Sequence, residues 1–144
     1  MDHLSPELVA FLSSGTRTAK LGWTAADGRP LVAPVWFVVG GPDDAPELLF
    51  NTGRSTAKGR AILRDPRLVI CVDLEEPPFA FVQVQGLATI SEDPGELLAS
   101  ATAIGGRYMG ADRAEEFGRR NGAPGELLVR LRPTKVIAEL NMTG

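Results

Sequence analysis

The sequence predicts a mainly β fold, an antiparallel barrel with peripheral helices, and three observations carry that reading. Short segments of alternating or β-branched apolar character follow one another through short turns. Helical segments are inserted among them without regular alternation, which argues against a doubly wound parallel sheet. The Gly-x-Gly-x-x-Gly run that opens a dinucleotide fold is absent. At 144 residues the chain suits one domain, residues 1–144, able to bury a core without metals or disulfides.

Each element has a local reason. Ser5-Pro6-Glu7 supplies a cap, a proline for the first helical position and an acid at the positive dipole end, ahead of Leu8, Val9, Phe11 and Leu12. Ala19, Leu21 and Trp23 alternate with polar or small residues as in a half-buried strand, and Asp27-Gly28 marks a tight turn. Leu31 to Val39 is expected to return as the second strand of this hairpin. Pro34 within it fits an edge strand, or a stretch whose backbone is left free for a ligand. Glu47 to Asn51 is a short strand after a Gly/Pro/Asp loop. The helix from Ser55 is expected to stop at Asp65, before Pro66.

Arg67 to Asp73 is an apolar strand, and Phe79 to Ile90 a long one with a bend expected at Gly86. Asp93-Pro94-Gly95-Glu96 opens a helix expected to end at Gly105-Gly106, and Asp112 to Asn121 forms a second, charged helix. Strands at Leu127 to Leu131 and Lys135 to Leu140, separated by Pro133, complete the inventory.

Composition narrows the function classes. A formal net charge of -3 lacks the broad cationic field of a non-specific nucleic-acid binder. The single cysteine, Cys71, lies in the apolar run Leu68 to Val72 and reads as a core thiol. The single histidine, His3, has no Ser or Cys constellation around it, so neither a catalytic triad nor a metal cluster is assigned. No stretch suits a transmembrane helix or a signal peptide, and the expectation is a soluble, cytoplasmic protein. An enzyme of this composition is expected to take its reactive atom from a bound cofactor.

Phe50-Asn51-Thr52-Gly53-Arg54-Ser55-Thr56-Ala57-Lys58-Gly59-Arg60 is the segment richest in chemistry. It places hydroxyls, a glycine and three cations where a strand hands over to a helix, and a helix start offers unpaired N–H donors and positive potential to a phosphate. Ser55 or Thr56 can cap that helix. A solvated helix face would also account for Lys58 and Arg60 taken alone.

Together, Pro34-Val35-Trp36-Phe37, Leu49-Phe50-Asn51-Thr52 with Ser55, Thr56, Lys58, Gly59 and Arg60, Asp65-Pro66-Arg67, Val84-Gln85-Gly86-Leu87-Ala88 and Arg107-Tyr108-Met109-Gly110 resemble the pyridoxamine-phosphate-oxidase-like split-barrel superfamily. The resemblance spans about Thr18 to Leu140. It implies a six-stranded split β-barrel that forms a homodimer, with a flavin or deazaflavin in a groove at the subunit interface. It implies a phosphate-binding role for Thr52, Ser55, Thr56, Lys58 and Arg60, with Asn51 and Arg54 in the same segment, and ring contact for Pro34, Val35 and Trp36. The Arg-x-His pattern of vitamin B6 oxidation is missing, since Arg130-Leu131-Arg132 stands in that region. The ring-contacting strand carries no basic residue, unlike many FMN users, and the remaining motifs resemble the branch using coenzyme F420. The resemblance thus implies hydride transfer from reduced F420 to a conjugated small molecule. The alternatives are an FMN-dependent oxidoreductase and a cofactor- or tetrapyrrole-binding protein without turnover.

Overall fold

The structure, a computed structural model, describes residues 1–144. Seven strands form one antiparallel sheet: β1 (Ala19–Thr24), β2 (Pro30–Val35), β3 (Val38–Gly40), β4 (Glu47–Gly53), β5 (Arg67–Asp73), β6 (Phe81–Ser91) and β7 (Glu126–Glu139). Their order in the sheet is β2-β1-β5-β6-β7-β4-β3. The helices are α1 (Pro6–Ser13), α2 (Ala57–Arg64), α3 (Pro94–Met109) and α4 (Ala114–Asn121), with a 3-10 turn at Ala111–Arg113 leading into α4.

The first and last strands of this sheet, β2 and β3, are consecutive in the chain and separated only by Trp36 and Phe37. Three Cα steps from Val35 to Val38 reach at most roughly 11 Å, so the sheet must curl until its two edges nearly meet. The hydrogen-bonded ladder stays open there, and the gap is spanned covalently. This is the split of the barrel, and it corrects two expectations. The segment Leu31 to Val39 is not one strand but two at opposite edges, and the sheet has seven strands rather than six. A backbone that changes edges cannot keep pairing with β1 beyond Val35, which pairs with Ala19.

The curled sheet encloses the core. β4 alternates strictly, burying Leu48, Phe50 and Thr52, and β6 buries Val82 and Val84 by the same period of two. Leu8 and Leu12 of α1 and Phe37 of the seam join this cluster, all at 5% exposure or less. Pro30 and Pro34 sit on β2, an edge strand, where a missing N–H breaks no ladder.

Two further boundaries differ from expectation. The helix expected to stop at Gly105-Gly106 runs on to Met109. Gly105 serves packing instead, because a Cβ there would lie 2.6 Å from Cβ of Phe117 on α4. Pro133 does not divide two strands, since β7 is continuous from Glu126 to Glu139. The proline falls opposite Gly86, where the β6–β7 register shifts between Gln85 and Gly86, so the irregularity absorbs it. The bend expected at Gly86 is that register shift.

Candidate functional site

The strand-to-helix handover is built by Thr56. Its Oγ1 accepts from the Gly59 N–H at 3.0 Å and donates to the Gly53 carbonyl at 2.8 Å, so Thr56 rather than Ser55 is the N-cap of α2. Gly59 presses on the Gly53 carbonyl so closely that a Cβ has no room. That contact seats the first turn of α2 on the end of β4. The amides of Ala57 and Lys58 find no backbone carbonyl or side-chain acceptor, leaving two donors at the positive end of the helix.

Lys58 projects from this turn and is half-buried. It forms no ion pair, and its Nζ lies 5.8 Å from the centroid of the Trp23 ring. Burial pushes its pKa below the ordinary lysine value. A cation that has lost water without gaining a carboxylate is prepared to receive an anion.

A cleft of about 300 Å³ opens beside it. One wall is the end of β2 with Pro34, Val35 and Trp36; the floor is Asn51, Thr52 and Gly53 of β4 with Glu126 at the start of β7. Lys58 forms one end, and the helical insertion closes the far side with Ala101, Ile104 and Asn121. Trp36 is fixed on its other face: its ring stacks on Tyr108 at 5.0 Å with 4° between planes, and tilts against Phe117 at 6.0 Å.

Of the residues expected at a cofactor site, the structure brings Pro34, Val35, Trp36, Asn51, Thr52 and Lys58 onto this cleft. It places Arg54, Ser55, Thr56 and Arg60 outside its lining. Arg54 pairs with Glu92 at 2.8 Å, and the exposed Arg60 guanidinium donates to the Ser55 carbonyl. Four of the cleft residues, Ala101, Ile104, Asn121 and Glu126, carried no sequence signal. The first two read as core positions of α3, and Glu126 reads as the polar start of a strand.

Glu126 is nonetheless the most unusual polar group here. Its Oε2 is buried with no partner, and burial raises its pKa. Asn51 accepts from the Ser100 hydroxyl at 3.1 Å, while its Nδ2 is buried without a partner. Arg107 and Tyr108, by contrast, are fully committed. Arg107 donates to the carbonyls of Leu12, Gly15 and Phe37, and the Tyr108 hydroxyl accepts from the Phe37 N–H and donates to the Arg17 carbonyl. They fasten the seam of the barrel and are not part of the cleft lining. The arrangement can therefore bind an anion at Lys58 and the α2 start, and lay a planar group along the β2 end.

Comparison with known proteins gives the family. The sequence model of the pyridoxamine 5'-phosphate oxidase family matches residues 4–139. Among solved structures, a conserved hypothetical protein from Mycobacterium tuberculosis superposes with a TM-score of 0.81 at 22% identity, over 99% of this chain and 88% of that one. An F420 reductase superposes with a TM-score of 0.68 at 26% identity, over 92% of this chain and 98% of that one. A heme binding protein from Mycobacterium smegmatis gives 0.67 at 20% identity, over 94% of this chain and 54% of that one. Among curated proteins the sequence finds no match. The chain belongs to the pyridoxamine 5'-phosphate oxidase family, within a split-barrel superfamily of flavin-related oxidoreductases.

Proposed function

We propose that this cleft holds the phosphorylated deazaflavin F420 and that the protein is a reductase of conjugated small molecules. One observation carries the reading. The ring-side strand end, Pro34 to Trp36, and the anion end, Lys58 with the free amides of α2, meet on a single cleft although Trp36 and Lys58 are 22 positions apart in the chain. The likeness to an F420 reductase at 26% identity over nearly the whole of both chains supports the choice of cofactor.

The residues present fit such a group. Lys58 and the amides of Ala57 and Lys58 match a phosphoryl oxygen, and Thr52 lines the floor between that end and the ring-side wall. Reduced F420, when bound, supplies a hydride for an electron-poor acceptor. The chain's part is to orient and to exclude water, for which Trp36, Ala101 and Ile104 supply apolar lining. A volume of about 300 Å³ lies at the small end of ligand pockets. We place a second copy of the chain across the open side as a homodimer, which gives a native mass twice 15.3 kDa.

Absorbance titration with F420 and with FMN tests the reading on the same sample whose native mass is measured. F420 is expected to bind in preference to FMN, and Lys58→Ala to weaken it by about tenfold or more, the loss of one charge-assisted contact. Arg60→Ala is expected to change affinity by less than about threefold, since that guanidinium is turned to its own backbone. Undiminished affinity in Lys58→Ala would sink the assigned anion seat. A yellow protein that releases FMN on denaturation would decide for FMN chemistry on the same scaffold.

A further inference from the structure

The floor of the cleft holds two of the three buried polar side-chain atoms that lack a partner in this protein, Asn51 Nδ2 and Glu126 Oε2. Such atoms are rare in folded proteins because their desolvation is not repaid. Two on one cleft call for a common cause. The register of β4 against β7 sets them side by side: Glu126 pairs with Gly53 and Leu128 with Asn51, so the two polar residues are diagonal neighbours across the strands.

Neither is free to satisfy itself. The Ser100 hydroxyl has one proton and two acceptors at 3.1 Å, the Leu97 carbonyl and Asn51 Oδ1. Ser100 therefore engages one end of the Asn51 amide, and whichever way the amide turns, its other polar atom is left without a protein partner. Glu126 makes no ion pair, although Lys58 lines the same cleft. The cleft thus presents an ammonium that wants an anion and, elsewhere on the same lining, a carboxyl that an anion would avoid.

A ligand that answers both needs an anionic group and, a short way along its chain, a hydrogen-bond donor. We propose that Glu126, with Asn51 beside it on the cleft floor, is a specificity-determining residue that reads a hydroxyl on the chain joining the ligand's ring to its phosphate. The preferred class is a polyol phosphate. A phosphate on a plain alkyl chain leaves Glu126 desolvated and unpaired, and a second anion at that place is repelled. The inference rests on the cleft being the cofactor seat.

The probes are two synthetic 8-hydroxy-5-deazaflavins, one with a ribityl 5'-phosphate chain and one with a hydroxyl-free pentyl phosphate, titrated by fluorescence. Wild-type protein is expected to prefer the ribityl compound by about tenfold or more, the discrimination of a satisfied against an unsatisfied buried carboxyl oxygen. Glu126→Leu is expected to cut that preference below about threefold while leaving the pentyl compound bound at least as well, and Glu126→Gln, which still offers an acceptor, to keep most of it. No preference in the wild type, or an unchanged preference in Glu126→Leu, overturns the role of Glu126 and leaves the seat standing. Binding of neither compound by folded wild-type protein overturns the seat and the inference together. The wild-type comparison decides even where the leucine variant does not fold.

Discussion

At the scale of single residues, Lys58 and Glu126 show how position rather than type sets chemistry. Each has lost water to the cleft and gained no counter-ion, and burial shifts the two in opposite directions, the ammonium down and the carboxyl up. The consequence for Glu126 is testable on stability. Its folded carboxyl holds a proton above the ordinary glutamate range, whereas the unfolded chain releases it there. Across that window the native state binds more protons, so its stability falls as pH rises toward the folded value. Urea melts at stepped pH values from 4 to 7 are expected to show this fall in the wild type and to show it lessened in Glu126→Gln. Lysine 58 was legible in the sequence because a cation two residues past a hydroxyl cap belongs to a helix start. Glu126 was not, since nothing local tells an exposed strand-start acid from one facing a cleft whose other walls come from residues as distant in the chain as Pro34.

At the scale of elements, the site depends on how tightly α2 sits on β4. The Gly59 contact with the Gly53 carbonyl fixes the direction in which the free amides and Lys58 point. A methyl group at this position cannot be relieved by a flexible side chain, because what it meets is backbone. Gly59→Ala is expected to destabilise the fold by about 1–3 kcal/mol, the usual cost of overpacking, despite the better helix propensity of alanine. It is also expected to weaken phosphate-bearing ligands at least as much as Lys58→Ala does. Denaturant melts and the F420 titration check both. The sequence indicated this element closely, placing it from Ser55 to Asp65 where the structure has Ala57–Arg64 with Thr56 and Asp65 as caps. It misjudged α3, where Gly105-Gly106 looked like a stop. In the folded chain Gly105 is the point at which α4 comes close, and helix packing overrides the local preference of glycine for an end.

At the scale of the whole molecule, the barrel is held shut by side chains rather than by a ladder. The edge strands β2 and β3 share no backbone bonds, and the seam residues Trp36 and Phe37 are clamped by Arg107 and Tyr108 reaching over from α3. This links the helical insertion to the cleft wall, since the stacked Tyr108 is what holds Trp36. Tyr108→Phe retains the stacking but leaves the Phe37 N–H without its acceptor, at a cost of about 1–3 kcal/mol. Chemical denaturation should show that loss. Cofactor affinity is expected to change by less than about threefold, because the ring that supports Trp36 stays in place. A large loss of affinity at unchanged stability would instead give the hydroxyl a direct part in binding.

The sequence by itself indicated the elements that have local causes: the capped starts of α1 and α2, the strands β1, β4, β5 and β6, the turn at Asp27-Gly28 and the strand-to-helix handover between Asn51 and Arg60. These rest on backbone sterics, capping and burial patterns that act within a few residues. Only the tertiary structure decided that Leu31 to Val39 divides between the two edges of the sheet, that Pro133 can lie inside a continuous β7 opposite Gly86, and that Asn51, Lys58 and Glu126 line one cleft while Arg54 and Arg60 turn away. Those outcomes depend on the curl of the whole sheet and the register of strands distant in sequence, and such long-range contacts leave no periodic trace in the chain.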